Sequence, residues 1–187
     1  QLPLSIKRDT FGLPTLGPRL REIRDDVLHR RGFAVIRGIP VEDWDLRTAV
    51  RAYWGLGTWL GEAVSQNRAG ALLGHVCDVG ASADHPRQRG FQSSDALPYH
   101  TDVAADIVSL LCLSPAKYGG LSSVASSGAI YNKLSEQNPD WAEVLARPLA
   151  WDRRGEIPLG AGPWYLLPVF SHHQGRLLTC FIRRFLE

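Results

Sequence analysis

At about residue 71 the hydrophobic pattern of this chain changes period, and that change sets the fold class. Upstream, apolar residues recur every three or four positions. Residues 19–31 follow Pro18 and place Leu20, Ile23, Val27 and Leu28 on one face, which predicts a helix stopped by Gly32. Phe33, Ala34, Val35 and Ile36 then read as a buried strand ended by Gly38 and Pro40. A second helix is predicted over 45–60, capped by Asp43 or Asp45, with Leu46, Val50, Tyr53 and Trp54 turned inward. Downstream, short apolar runs alternate with turn residues. They predict strands over 72–76, 97–102, 107–113, 122–127, 164–170 and 176–183. One helical interruption over 129–145 breaks near Asn138-Pro139, with Asp140 able to cap its second part. Helices first and many short strands later predict an α+β fold with a sandwich or barrel-like β core.

Composition narrows the function classes. The 187 residues are 44% apolar and 21% charged, enough for one domain with its own core and no disulfide staples. Lys plus Arg number 21 and Asp plus Glu 19, and a net charge of +2 speaks against a dedicated nucleic-acid partner. The longest apolar run, 107–113, is too short to span a bilayer, so no membrane partner is expected. Cys77, Cys112 and Cys180 are far apart and form no CxxC pair, which excludes a zinc knuckle or a thioredoxin-type motif. Cys112, between Leu111 and Leu113, is expected to be a buried thiol. Residues 1–7 lack the pattern of a signal peptide, and a cytoplasmic location is expected. The chain starts at Gln1 and has no methionine, so a longer native protein is expected.

Several short patterns fail on their context. Gly55, Gly57 and Gly61 superficially match a dinucleotide loop, but the third glycine comes one place late and a helix precedes it. Ser114-Pro115-Ala116-Lys117 has S-x-x-K spacing, yet Pro115 biases Ser114 away from the helical turn that motif needs. The Arg pairs 30/31, 153/154 and 183/184 read as solvated faces. Tyr99-His100-Thr101-Asp102 is different. On a strand, residues i and i+2 share a face, so His100 and Asp102 present an imidazole and a carboxylate side by side. Those are two of the three donors of a 2-His-1-carboxylate site for Fe(II). A Gly119-Gly120 turn about twenty residues later leads to Ser122, Ser123, Ser126 and Ser127, whose hydroxyls suit either an anionic ligand or an exposed hairpin face.

Taken in order, Tyr99-His100-Thr101-Asp102, an apolar strand, Gly119-Gly120-Leu121-Ser122 and Tyr131-Asn132-Lys133-Leu134 resemble the taurine dioxygenase (TauD/TfdA-like) family. The run from Arg31 to Gly38 looks like that family's early Gly-Phe-apolar-Arg-Gly strand, and Leu60-Gly61-Glu62 like its Leu-Gly-Glu step. The resemblance spans about 30 to 185 and implies an Fe(II)- and 2-oxoglutarate-dependent dioxygenase on a double-stranded β-helix (jelly-roll) core with N-terminal helices. Residues 1–187 would then be a single oxygenase domain, its C-terminal part absent. His100 and Asp102 would be iron ligands, and Ser122 would contact the distal carboxylate of 2-oxoglutarate. Gln66 and Asn67 would face substrate, with Gln92 and Val103 as further pocket residues. The third iron His and the cosubstrate Arg of the family match nothing here. His172 and His173 are poor substitutes, since adjacent strand residues point to opposite faces. The implied reaction consumes O2 and 2-oxoglutarate, releases succinate and CO2, and hydroxylates, desaturates or cyclises a small polar or amino-acid-like substrate. The alternative is a shortened β-helix module that binds a ligand or partner without turnover. Neither the substrate nor an oligomeric state is legible in these residues.

Overall fold

The computed structural model describes residues 3–67, 69–80, 96–102, 105–153, 155 and 157–186. Four α-helices and two small antiparallel sheets stand among them: α1 (Leu16–His29), α2 (Leu46–Leu60), α3 (Ser127–Gln137), α4 (Pro139–Leu145), β1 (Leu149–Asp152), β2 (Trp164–Leu167), β3 (Phe170–His173) and β4 (Arg176–Thr179). The chain forms two compact units, residues 1–64 with 105–124, and residues 65–104 with 125–187.

In the first unit α1 packs on α2. The α1 boundary falls where glycine allows it: Gly32 takes a φ of +82°, and its N–H reaches the Asp26 carbonyl at 3.3 Å. At the start of α2 the Asp45 carboxylate accepts from the Thr48 amide at 2.7 Å, and hydrogen bonding to Thr48, from its side chain first and its amide second, holds its pKa below the ordinary carboxylate range. The inward residues of α2 are only partly as expected. Ala49 and Gly55 are buried and Val50, Tyr53 and Trp54 half-buried, whereas Leu46 is exposed. Glycine permits the closest approaches. A Cβ on Gly17 would meet the Trp59 ring at 2.4 Å, and one on Gly55 would meet Phe11 at 2.5 Å. The two indoles are pinned by their N–H groups, Trp54 to the Ile6 carbonyl at 3.0 Å and Trp59 to the Phe11 carbonyl at 3.1 Å.

The second unit is built on Trp151, which is fully buried, with Val169 and Phe170 beside it. Tyr131 and Leu134 from α3, Leu145 from α4, and Phe181, Ile182 and Phe185 near the C-terminus close around them. β1 pairs with β2 and β3 with β4, each antiparallel. The β3–β4 hairpin turns at Gln174 and Gly175, both at positive φ, the backbone that a two-residue hairpin requires.

Several expectations are corrected. Residues 33–36, 72–76, 97–102, 107–113 and 122–126 form no strand among the described residues, and the strand predicted over 176–183 ends at Thr179. Phe33, Val35, Ile36, Val108 and Leu110 are exposed rather than buried, and so is Cys112. An apolar run signals that a segment has something to bury, and pairing depends on a partner that periodicity does not name. The predicted strand 122–127 also ends early, because Ser126 caps α3 by accepting from the Ala129 amide at 3.2 Å. Helix α4 starts on Pro139 with no side-chain cap, so Asp140 lies in its first turn instead of capping it. The predicted strand 164–170 is two strands separated by Pro168 and Val169, and β1 was not predicted.

Candidate functional site

His100 and Asp102 are exposed on a segment of the second unit that belongs to no strand. Between them, Thr101 ties that segment to the core. Its N–H donates to the Phe181 carbonyl at 2.8 Å, and its hydroxyl accepts from the Phe181 N–H at 2.8 Å. Phe181 packs against the Trp151 cluster, and the adjacent Cys180 N–H donates to the carbonyl of buried Val169 at 2.9 Å. A short chain of contacts thus runs from the hydrophobic core to the centre of the His-x-Asp triplet.

The imidazole is also oriented. His100 Nδ1 lies 2.8 Å from the Pro98 carbonyl oxygen. A carbonyl can only accept, so Nδ1 carries the hydrogen and Nε2 keeps a lone pair for a metal. A backbone carbonyl holding the distal ring nitrogen is the support that metal-binding histidines ordinarily use.

The other sequence-predicted residues are placed as follows. Ser122 belongs to the first unit, exposed, just after Gly119 and Gly120 at φ +70° and +68°. Gln66 and Asn67 sit in a turn of the second unit. The Asn67 side-chain oxygen accepts from the amides of Ala69 and Ala71 at 3.0 and 3.2 Å, and the Gln66 N–H donates to the Ala71 carbonyl at 2.6 Å. Asn67 therefore builds the turn with its side-chain carbonyl. Gln92 and Val103 lie outside the described residues. His172 and His173 end β3 before the hairpin turn, and the His172 ring stands edge-on to Tyr131 at 5.7 Å. No cluster of three or more His, Cys, Asp or Glu occurs among the described residues. Burial pushes the Cys180 thiol up, which keeps it protonated and a poor ligand at neutral pH. Tyr165 is likewise raised, by burial first and by Cys180 second, against the opposing Arg153 guanidinium.

Thr101 and Phe181 are the residues that sequence reasoning did not single out; their pairing joins positions eighty apart. The only signal was the hydroxyl between two candidate ligands. Thr101→Val removes the acceptor while keeping the shape. It is expected to cost about 1 kcal/mol locally and to speed amide exchange at Phe181 roughly fivefold, measurable by NMR hydrogen exchange.

A family model, "Taurine catabolism dioxygenase TauD, TfdA family", matches residues 1–186. This chain belongs to that family. Membership implies a double-stranded β-helix architecture; the described residues form two separate two-stranded antiparallel sheets. Among curated relatives, FR-33289 synthase of Streptomyces rubellomurinus is 34% identical over 185 residues, covering 97% of this chain and 54% of that protein. "Taurine hydroxylase-like protein SAT17" of Stachybotrys chartarum is 32% identical, covering 98% of this chain and 49% of its own length. Uridine-5'-phosphate dioxygenase of a Streptomyces species is 30% identical over 157 residues, covering 78% of this chain and 55% of its own. The chain spans about half the length of these relatives. Among the described residues no helix is long and apolar enough to cross a membrane.

Proposed function

We propose that this chain is part of an Fe(II)- and 2-oxoglutarate-dependent oxygenase and that residues 1–187 belong to a single domain of that kind. The observation that carries the reading is the His100-x-Asp102 pair on a segment fastened at Thr101, within a TauD/TfdA family match over 1–186. The donor set fits a divalent iron. One imidazole has its outer nitrogen committed to a carbonyl, and one carboxylate follows two residues later. His100 Nε2 and an Asp102 carboxylate oxygen would hold the metal, with a further histidine as the third ligand.

Bound there, iron with 2-oxoglutarate and O2 supplies the oxidising power to break an unactivated C–H bond, with succinate and CO2 released. The chain's own residues bind and orient. The Ser122 hydroxyl would donate to the distal carboxylate of 2-oxoglutarate, a neutral donor that complements an arginine. Gln66 offers an amide, and Asn67 its –NH2 end, to a small polar or amino-acid-like substrate, with Gln92 and Val103 as further contacts. The printed names of the relatives, a synthase, a hydroxylase-like protein and a dioxygenase, support oxidation as the reaction class. Hydroxylation is the outcome proposed first, with desaturation or ring closure as variants of the same C–H cleavage. A soluble cytoplasmic enzyme working on small molecules is the corresponding setting.

The test uses the protein expressed from its native gene. With Fe(II) and 2-oxoglutarate, succinate release and O2 uptake should rise together and stop when a chelator removes the iron. Metal-saturated protein that forms no succinate across a panel of amino acids and small polar acids would overturn the proposal.

A further inference from the structure

We propose that the first unit holds an oxyanion site, formed by Arg8 and Arg21 against the Trp59 indole, that takes a phosphate group. Both guanidiniums lie over the same ring, with Cζ at 4.8 Å for Arg8 and 5.5 Å for Arg21 from its centroid. They line an open cleft of about 330 Å³ together with Trp59, Leu13, Pro14 and Pro18. The platform is rigid. The Trp59 N–H is held by the Phe11 carbonyl, and Gly17 lets the ring lie where any Cβ would collide at 2.4 Å. The Arg8 backbone is fixed as well, because the Lys7 carbonyl accepts from Thr10 and Phe11 at 3.1 and 2.8 Å and closes a turn around it.

The charge arrangement points to an anion. The other arginines of α1 and its end have carboxylates: Arg19 has Glu22 at 2.6 Å, Arg24 has Asp25 at 2.8 Å, and Arg30 and Arg31 share Asp26 at 3.7 and 3.9 Å. Among the described residues no carboxylate comes within ion-pair distance of Arg8 or Arg21, although Asp9 and Glu22 are their sequence neighbours. Two like charges brought to one ring repel each other, and an anion bridging them removes that repulsion. Cation–π attraction to the ring leaves the guanidinium N–H groups able to match phosphate oxygens. Leu13, Pro14 and Pro18 offer apolar surface to the carbon part of a phosphomonoester.

The experiment is an NMR titration of the Trp59 indole N–H at constant ionic strength, with chloride as the control anion. One arm uses inorganic phosphate and the other phenyl phosphate. A saturable shift with either supports the site, and tighter binding of phenyl phosphate identifies the monoester as the preferred source. Arg8→Gln with Arg21→Gln should weaken binding about tenfold or more. Arg21→Lys keeps the charge but loses the fork, and should weaken it several-fold with the fold intact. No saturable shift in either arm overturns the proposal, and so does a folded double variant or Arg21→Lys that binds phosphate as the native chain does. In either case the two arginines over Trp59 would only brace the N-terminal segment.

Discussion

Replacing Trp151 by alanine is expected to remove about 3–5 kcal/mol of stability, the range found when a large aromatic is cut out of a packed core. Trp151 is fully buried at the centre of the second unit, and its indole N–H donates to the Leu167 carbonyl at 2.7 Å across the β1–β2 pair. The Trp151 backbone also bridges to Leu186, whose side chain packs against the same buried cluster. Alanine would leave a cavity and strip the Leu167 carbonyl of this donor, and the two losses act in the same direction. A domain with only about 5–15 kcal/mol in hand would be brought close to unfolding. Trp141, 62% exposed on α4, is the matched comparison: Trp141→Ala should change stability by less than about 0.5 kcal/mol. Urea unfolding followed by circular dichroism separates the two. Equal midpoints for both variants would contradict the assignment of Trp151 as the keystone of this unit.

The elements legible in the sequence were those written in a few neighbouring residues. Asp45 capping α2, Gly32 closing α1 and the break at Asn138-Pro139 each depend on a local hydrogen bond or a local φ. What could not be read is non-local. The apolar runs 33–36 and 107–113 advertised burial, yet Val35 stands 71% and Leu110 77% exposed, because alternation fixes a face and not a partner. Cys112 failed for the same reason, being carried outward with the segment it belongs to. The candidate site divides along the same line. His100 and Asp102 were singled out because i, i+2 spacing shares a face on a strand, a strand that residues 97–102 do not form, whereas the Pro98 carbonyl on His100 is a local contact. Their attachment to the core through Phe181 needed the folded chain.

His100→Ala is expected to weaken Fe(II) binding about a hundredfold and to bring 2-oxoglutarate turnover to background, since a ligand removed costs more than the 10–100-fold typical of its supporting groups. The prediction depends on Nε2 being the donor, which the Pro98 carbonyl enforces by holding the hydrogen on Nδ1. Asp102→Ala should match it, because a metal with one protein donor fewer is lost whichever donor is removed. The decisive comparison is with His173, exposed at the end of β3, where His173→Ala should retain both binding and turnover. Loss of the segment's docking, as opposed to loss of a ligand, is separated by hydrogen exchange at Phe181. That amide is held by the Thr101 hydroxyl and should keep its protection in His100→Ala. Anaerobic titration with Fe(II) measures the affinity, and succinate release measures the turnover. If His100→Ala binds iron as the native chain does while His173→Ala does not, the metal centre lies at the hairpin and the His-x-Asp segment is structural.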